Sequence, residues 1–252
     1  IEKIVEQLRF SDFVADTDSN DEDSNVSAGN SELRQEWYWS YNFNADYRLP
    51  NDIGVIDGQI FYHDHRDKIE RLDVSLSEDN LQSANGNIGD GKMYGIRLNS
   101  SIRMNMFNMP NLLVSTRLSL SDSEITDPFT GQERRMLHHG RGSASISFRH
   151  DIPRLSLNWG ASMRDSFDGE TKIYDIDDVL DLYGEPSLSL FAEWISPGGT
   201  SWRWDARDVG NPERCSNRTR YVGRLSAGIL EEIERRCSSS GLVMSLKITG
   251  TF

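Results

Sequence analysis

The stretch Trp37-Tyr38-Trp39-Ser40-Tyr41-Asn42-Phe43-Asn44-Ala45-Asp46-Tyr47-Arg48 decides the fold. Its odd positions (Trp37, Trp39, Tyr41, Phe43, Ala45, Tyr47) are apolar or aromatic, and from Ser40 onward its even positions are polar. Successive side chains of a β-strand point to opposite faces, so a period of two predicts a strand with one apolar and one polar side.

The same alternation recurs on the C-terminal side. It runs through Ile56–His63, Tyr94–Met104, Leu112–Ser121, Ala144–Arg149, Leu155–Arg164, Leu188–Trp194, Trp202–Arg207 and Leu242–Phe252, which gives nine strands. Short Pro-containing turns fall at Leu49-Pro50-Asn51-Asp52, Met109-Pro110-Asn111, Ile152-Pro153-Arg154 and Ser196-Pro197-Gly198-Gly199. Long polar stretches lie between them, around 66–90, 125–141, 165–184 and 208–240, and another leads in at 1–35. Tight turns at one end and long loops at the other predict an up-and-down antiparallel sheet with two unlike rims. Outer-membrane barrels have this asymmetry, with short periplasmic turns and long extracellular loops.

Composition narrows the partners. The chain has 252 residues, 40 acidic against 27 basic side chains and a net charge of −13, with 37% hydrophobic residues. A polyphosphate ligand calls for a basic footprint, so nucleic acid is not expected. No stretch approaches the roughly 20 apolar residues of a spanning helix. A transmembrane barrel escapes that test, because its apolar residues sit at every second position. Tyr47, Trp194, Trp202 and Trp204 gather near the short-turn rim, and Trp37 and Trp39 lie toward the long-loop rim. Two aromatic bands flanking an apolar belt are what a bilayer selects. The rival is a soluble or surface β-sheet binding module, whose tryptophans have no reason to be banded. The chain opens on Ile1 with no basic-then-apolar leader, so either a leader has been removed or the sequence is a piece of a longer protein.

One loop departs from plain coil. Within Arg224–Arg236, Leu225, Ile229, Leu230 and Ile233 have helical spacing and predict a short helix. Cys215 and Cys237 bracket it. An isolated pair fits either one loop-closing disulfide in an oxidising compartment or two unrelated thiols. A loop facing the cell exterior favours the bond, worth about 3 kcal/mol in the chain-entropy model.

At the C-terminus, Gly241-Leu242-Val243-Met244-Ser245-Leu246-Lys247-Ile248-Thr249-Gly250-Thr251-Phe252 alternates and ends on phenylalanine. It resembles the terminal strand recognised by the outer-membrane barrel assembly machinery, with Leu242, Met244, Leu246, Ile248 and Phe252 as the signal. The rest resembles the C-terminal part of the β-barrel of TonB-dependent outer-membrane receptors. The matching pieces are Ala28-Gly29-Asn30-Ser31-Glu32-Leu33-Arg34 ahead of the tryptophan-rich strand, Phe61-Tyr62 followed by Asp67-Lys68-Ile69, and Asn87 to Gly95 opening another strand. Gln35 stands where family members often carry proline. The resemblance implies about nine strands of a 22-strand transmembrane barrel in the outer membrane of a Gram-negative bacterium. It also implies a plug domain and TonB-contacting segment outside these residues, and uptake of a scarce nutrient such as a siderophore-iron complex, cobalamin or an oligosaccharide.

The candidate sites follow from the polar faces. Arg97, Arg103, Arg117, Arg149, Arg164, Arg203 and Arg207 fall there, as do Arg48, Asp46, Asp57, Glu193 and Asp205. In a barrel those faces line the lumen, where charge is tolerated. The arginines are candidates for contact with plug or substrate, or else pair with carboxylates. His63-Asp64-His65 places two histidines on one strand face with no third ligand nearby, so no metal site is assigned. The acidic run Asp16–Asp23 lacks the glycine and glutamate of a calcium loop and reads as a solvated loop. His138-His139 has no nucleophile elbow to serve. No catalytic residue and no cofactor is expected, and the chain is not read as an enzyme.

Overall fold

The computed structural model describes residues 1–10, 13–14, 16–17, 26–78, 80–137, 139–166 and 171–250. It is all-β, with 67% of the chain in strands and only single 3-10 turns among the helical segments. In chain order the strands are β1 (Glu2–Val5), β2 (Asp16–Thr17), β3 (Val26–Ala28), β4 (Trp37–Arg48), β5 (Gly54–Asp73) and β6 (Ser83–Met104). β7 (Met109–Thr126), β8 (Glu133–Arg134), β9 (Gly142–Ile152), β10 (Leu157–Asp165), β11 (Thr171–Tyr174) and β12 (Asp178–Gly184) follow. The last five are β13 (Ser187–Ile195), β14 (Ser201–Val209), β15 (Arg214–Tyr221), β16 (Leu230–Ser238) and β17 (Val243–Thr249).

Each of the nine alternating segments lies in the large sheet, whose order is β1-β4-β5-β6-β7-β9-β10-β13-β14-β17. All neighbours on that path are antiparallel. The path ends on β1 and β17, so the sheet is open and carries two free edges.

Tight connections follow from local backbone chemistry. Each short turn carries a residue in the left-handed region: Asn51 at φ 59°, Asn108 at 58°, Ser156 at 48° and Gly199 at 82°. Glycine and asparagine enter that region at little cost, whereas Ser156 is held there by the hairpin around it. The turns are staggered. The last residue of β4, Arg48, pairs with Val55, which pairs with Ser101, yet β6 continues through Ile102 and Arg103 to Met104. Likewise Arg103 pairs with Leu113 and Leu113 with Arg149, while β9 runs on to Ile152. A register that climbs in this way tilts the strands relative to the rim, as sheet curling requires.

The ladder sorts side chains between two faces, because residues directly opposite share one. Along one row Phe43, Ile60, Ile96 and Leu120 are neighbours. Along another, Phe148, Ala161, Leu190, Ala206 and Met244 are. This apolar face is left open: Phe43 is 67% exposed, Ile60 59% and Leu246 61%. Among the described residues no second layer stands against this face.

The buried core lies elsewhere, at the long-loop end. Ala84, Ile125, Met136, Leu137, Ile176 and Leu225 are buried there, whereas Phe61 is buried mid-strand on the opposite, polar face under Arg97. At the long-loop end β5 and β6 continue past a bulge at His65–Lys68, where Asp67 has φ 52°. A second sheet, β11-β12-β15-β16, stands over this extension. Arg224 ties it down through Asp73 at 2.7 Å, and Arg134 lies 4.6 Å over the Tyr174 ring.

Three expectations are corrected here. The stretch 66–90 is largely a hairpin rather than a loop, because β5 and β6 pair as far as Asp73 and Ser83. The stretches 165–184 and 208–240 hold the four strands of the second sheet. The helix expected over 224–236 is absent. Leu225–Ala227 makes one 3-10 turn, Gly228 at φ 67° ends it, and Leu230–Ser238 forms β16. The physical reason is the hairpin: Cys215 and Cys237 are direct cross-strand partners, and pairing with β15 satisfies backbone groups a helix would otherwise bond internally. Leu225 alone of the expected apolar stripe is buried, while Ile229, Leu230 and Ile233 stay exposed.

Candidate functional site

Opposite the apolar face is a concave polar one, built by the even positions of β4 and their partners. One row runs Asp46, Asp57, Asn99, Arg117, Ser145, Arg164, Ser187. The next runs Ser101, Ser115, Ser147, Ser162, Ser189. Short hydroxyls between two arginine-bearing rows leave a recess of about 620 Å³ lined by Asp57, Asn99, Arg117, Arg164 and the serines.

The register places all seven candidate arginines on this face. Arg97 Nη1 donates to Gln59 Oε1 at 2.9 Å, with its guanidinium 4.6 Å over the Phe61 ring. Arg117 Nε donates to Asn99 Oδ1 at 3.1 Å. Arg149 Nε donates to Asp151 Oδ1 at 2.8 Å. Arg203 grips Asp205 with two nitrogens at 2.8 and 3.0 Å and lies 3.9 Å from Glu193. Arg164 opposes Ser145 and Ser187 across the recess. Arg103 opposes Leu113 near the short-turn rim, and Arg207 opposes Val243 on β17. The face is thus divided. Arg149 and Arg203 are neutralised by carboxylates, whereas among the described residues Arg97 meets Gln59 and the Phe61 ring and Arg117 meets Asn99, with no carboxylate on either.

The terminal strand lies in β17 against β14, with Leu242, Met244, Leu246 and Ile248 all exposed on the apolar side. Phe252 lies outside the described residues, as do Asp18–Asp23 and His138. Every tryptophan of the chain is on the apolar face. Trp37 and Trp39 sit at the long-loop end of β4, and Trp159, Trp194, Trp202 and Trp204 stand in the two rows nearest the short turns of β9–β14.

Cys215 and Cys237 are joined by a disulfide. Among the described residues they and Glu213 form the one cluster of metal-ligating groups, and with both sulfurs spent on each other only a carboxylate is left to ligate. Both histidines pack on Tyr38, whose ring lies 4.9 Å from that of His63 and 4.6 Å from that of His65, and both ring nitrogens of His65 are buried with no hydrogen-bond partner among the described residues.

Two constellations have no counterpart in the sequence reading. Glu36, 4% exposed, accepts from Lys68 Nζ at 2.7 Å and from the Ile69 amide at 2.6 Å, and so fixes the chain entering β4 against the bulge in β5. Arg134, with 7% of its side chain exposed, is held by Asp127 at 3.0 Å and Glu70 at 2.8 Å. Glu70 also accepts from the Leu137 amide at 2.8 Å, and Asp127 from Thr130 Oγ1 at 2.6 Å. Only the turn Asp127-Pro128-Phe129-Thr130-Gly131 gave a local signal for this network, since Asp followed by Thr and Gly favours an Asx-type turn. Glu70 and Arg134 are 64 residues apart, and nothing local joins them.

Two carboxylates at the outer end are shifted. Burial pushes Asp178 up to about 6, with Asp175 and Asp177 adding to the rise against the pull of Arg218 at 3.3 Å. Burial also raises Asp73, but hydrogen bonds from Arg224 and Ser75 outweigh it and hold Asp73 below the usual range. Comparison with protein-family models, with curated proteins and with solved structures gives no match for this chain.

Proposed function

We propose that this chain is the C-terminal part of the transmembrane β-barrel of a TonB-dependent receptor in the outer membrane of a Gram-negative bacterium. The observation that carries the reading is the open apolar face. It extends across the ladder from Phe43 to Leu246, carries all six tryptophans and is backed by a charged, serine-lined face. In water so broad an apolar surface is a liability. In lipid it is the outer wall of a barrel, with the recess facing the lumen. The asymmetry between four tight turns and the long, disulfide-bearing outer extension fits periplasmic and extracellular rims. The two free edges call for further strands, because unpaired backbone groups in lipid cost several kcal/mol each.

On this reading the chain is a transport receptor and not an enzyme. The nutrient, a siderophore-iron complex, cobalamin or an oligosaccharide, is captured at the outer extension and drawn past a plug held in the lumen. Arg97, Arg117 and Arg164 are the lumen charges offered to plug or substrate. Energy comes from the TonB complex through the plug, and the terminal strand is read by the barrel assembly machinery. The test is fractionation of cells expressing the protein together with an uptake assay for each nutrient class. The reading expects the protein in the outer membrane, extracted only by detergent, with loss of uptake of one nutrient on deletion. Recovery in a soluble fraction without detergent overturns it and leaves the soluble or surface binding module.

A further inference from the structure

We propose that the outer extension carries a binding site for a single phosphate group in the pocket lined by Arg135, Met136, His139, Lys172 and Tyr174. This stands independently of whether the large sheet lies in lipid, because the pocket is built between the 127–140 connection and β11 of the second sheet. Its volume, about 160 Å³, is well below that of pockets for drug-sized ligands and suits one tetrahedral oxyanion.

The donor set is cationic, on a chain whose net charge is −13. Arg134 and Arg135 are adjacent but treated differently. Arg134 is matched by two carboxylates, Glu70 and Asp127, and lies over the Tyr174 ring, although its Nη2 has no partner among the described residues. Among the described residues Arg135 meets no carboxylate, and its buried Nη1 has no hydrogen-bond acceptor. A guanidinium left without a carboxylate beside a small pocket favours an anion in that pocket. Lys172 lines the same pocket, its charge shared with Asp181 at 3.4 Å, and His139 lines it as well. A guanidinium fork and an ammonium lining one small space supply more donors than a planar carboxylate uses, and suit the oxygens of phosphate. The negative charge of Glu70 and Asp127 is spent on Arg134, Thr130 and the Leu137 amide.

Inorganic phosphate titrated into the full chain in detergent micelles, at constant ionic strength against chloride, tests the site by calorimetry. Saturable binding of one phosphate per chain is expected, weakened about tenfold or more by Arg135→Gln and by Lys172→Gln, since each removes a charge-assisted bond. Arg154→Gln, in a short turn at the opposite rim, leaves it unchanged. Competition by glucose 6-phosphate assigns the site to an esterified phosphate, and its failure to compete assigns it to the free ion. A titration that never saturates, or binding equal in all three variants, overturns the proposal.

Discussion

A single arginine placed on the apolar face separates a lipid-facing wall from a water-facing one. Ile60 is the position of choice: it is 59% exposed, lies between Phe43 and Ile96 on the ladder, and follows the short turn at Gly54 by six residues. At about 3.3 Å per residue and a tilt near 40°, six residues climb roughly 15 Å from the turn, close to the midplane of an apolar band about 25 Å tall. Ile60→Arg there costs about 2–4 kcal/mol in lipid. In water, a residue already more than half exposed changes stability by only about 0.5 kcal/mol. Asn44→Arg is the internal control, one residue beyond Phe43 and on the polar face beside Gln59. Urea unfolding from lipid vesicles, followed by tryptophan fluorescence, reads both. The account expects Ile60→Arg to lower stability by at least about 2 kcal/mol more than Asn44→Arg. Equal effects refute the assignment of faces.

Other perturbations address the outer extension. Replacing Cys215 and Cys237 with serine frees a 22-residue separation and lowers stability by about 3 kcal/mol in the chain-entropy model. Faster hydrogen exchange is expected in β15 and β16, with β4–β7 unaffected. Glu70→Gln leaves the buried Arg134 with one carboxylate and costs about 3–5 kcal/mol, read as a shift in the urea midpoint. Asp178 binds its proton more tightly folded, at about 6, than unfolded, near 4. Protonation therefore favours the fold, and the second sheet gains stability as pH falls from 7 through 6 to 4, by up to about 3 kcal/mol. Protection factors of β12 and β15 amides follow that gain, and Asp178→Asn abolishes it while stabilising the sheet at pH 7.

The nine strands of the wall were legible because a face in contact with one medium imposes strict alternation. Trp37 to Tyr47 and Leu242 to Ile248 show it with no tertiary information. The second sheet was not legible for the converse reason. Its strands are short and partly covered on both sides, and β12 reads Asp178-Val179-Leu180-Asp181-Leu182-Tyr183-Gly184, with no clean period. The spacing of Leu225, Ile229 and Ile233 mimicked a helix running into β16, and only the pairing of Cys237 with Cys215 decides for a strand. The pair was visible in the sequence, and the disulfide expected of it is present. The seven arginines could be assigned to one face from parity alone. Which of them are neutralised depends on register, as Arg203 with Asp205 and Arg97 with Gln59 show. Buried clamps such as Glu36 on Ile69 and Glu70 on Arg134 join distant segments and leave no periodic trace.

The central claim is that the apolar face meets lipid, and the six tryptophans report on it directly. All lie on that face, in a band near each rim. Their fluorescence is to be measured in vesicles containing lipids brominated at chosen depths, with acrylamide as the aqueous quencher. The account predicts strong quenching by brominated lipids, greatest for bromines near the interface and weaker at the bilayer centre, with little quenching by acrylamide. Efficient acrylamide quenching with no effect of brominated lipid at any depth would contradict it.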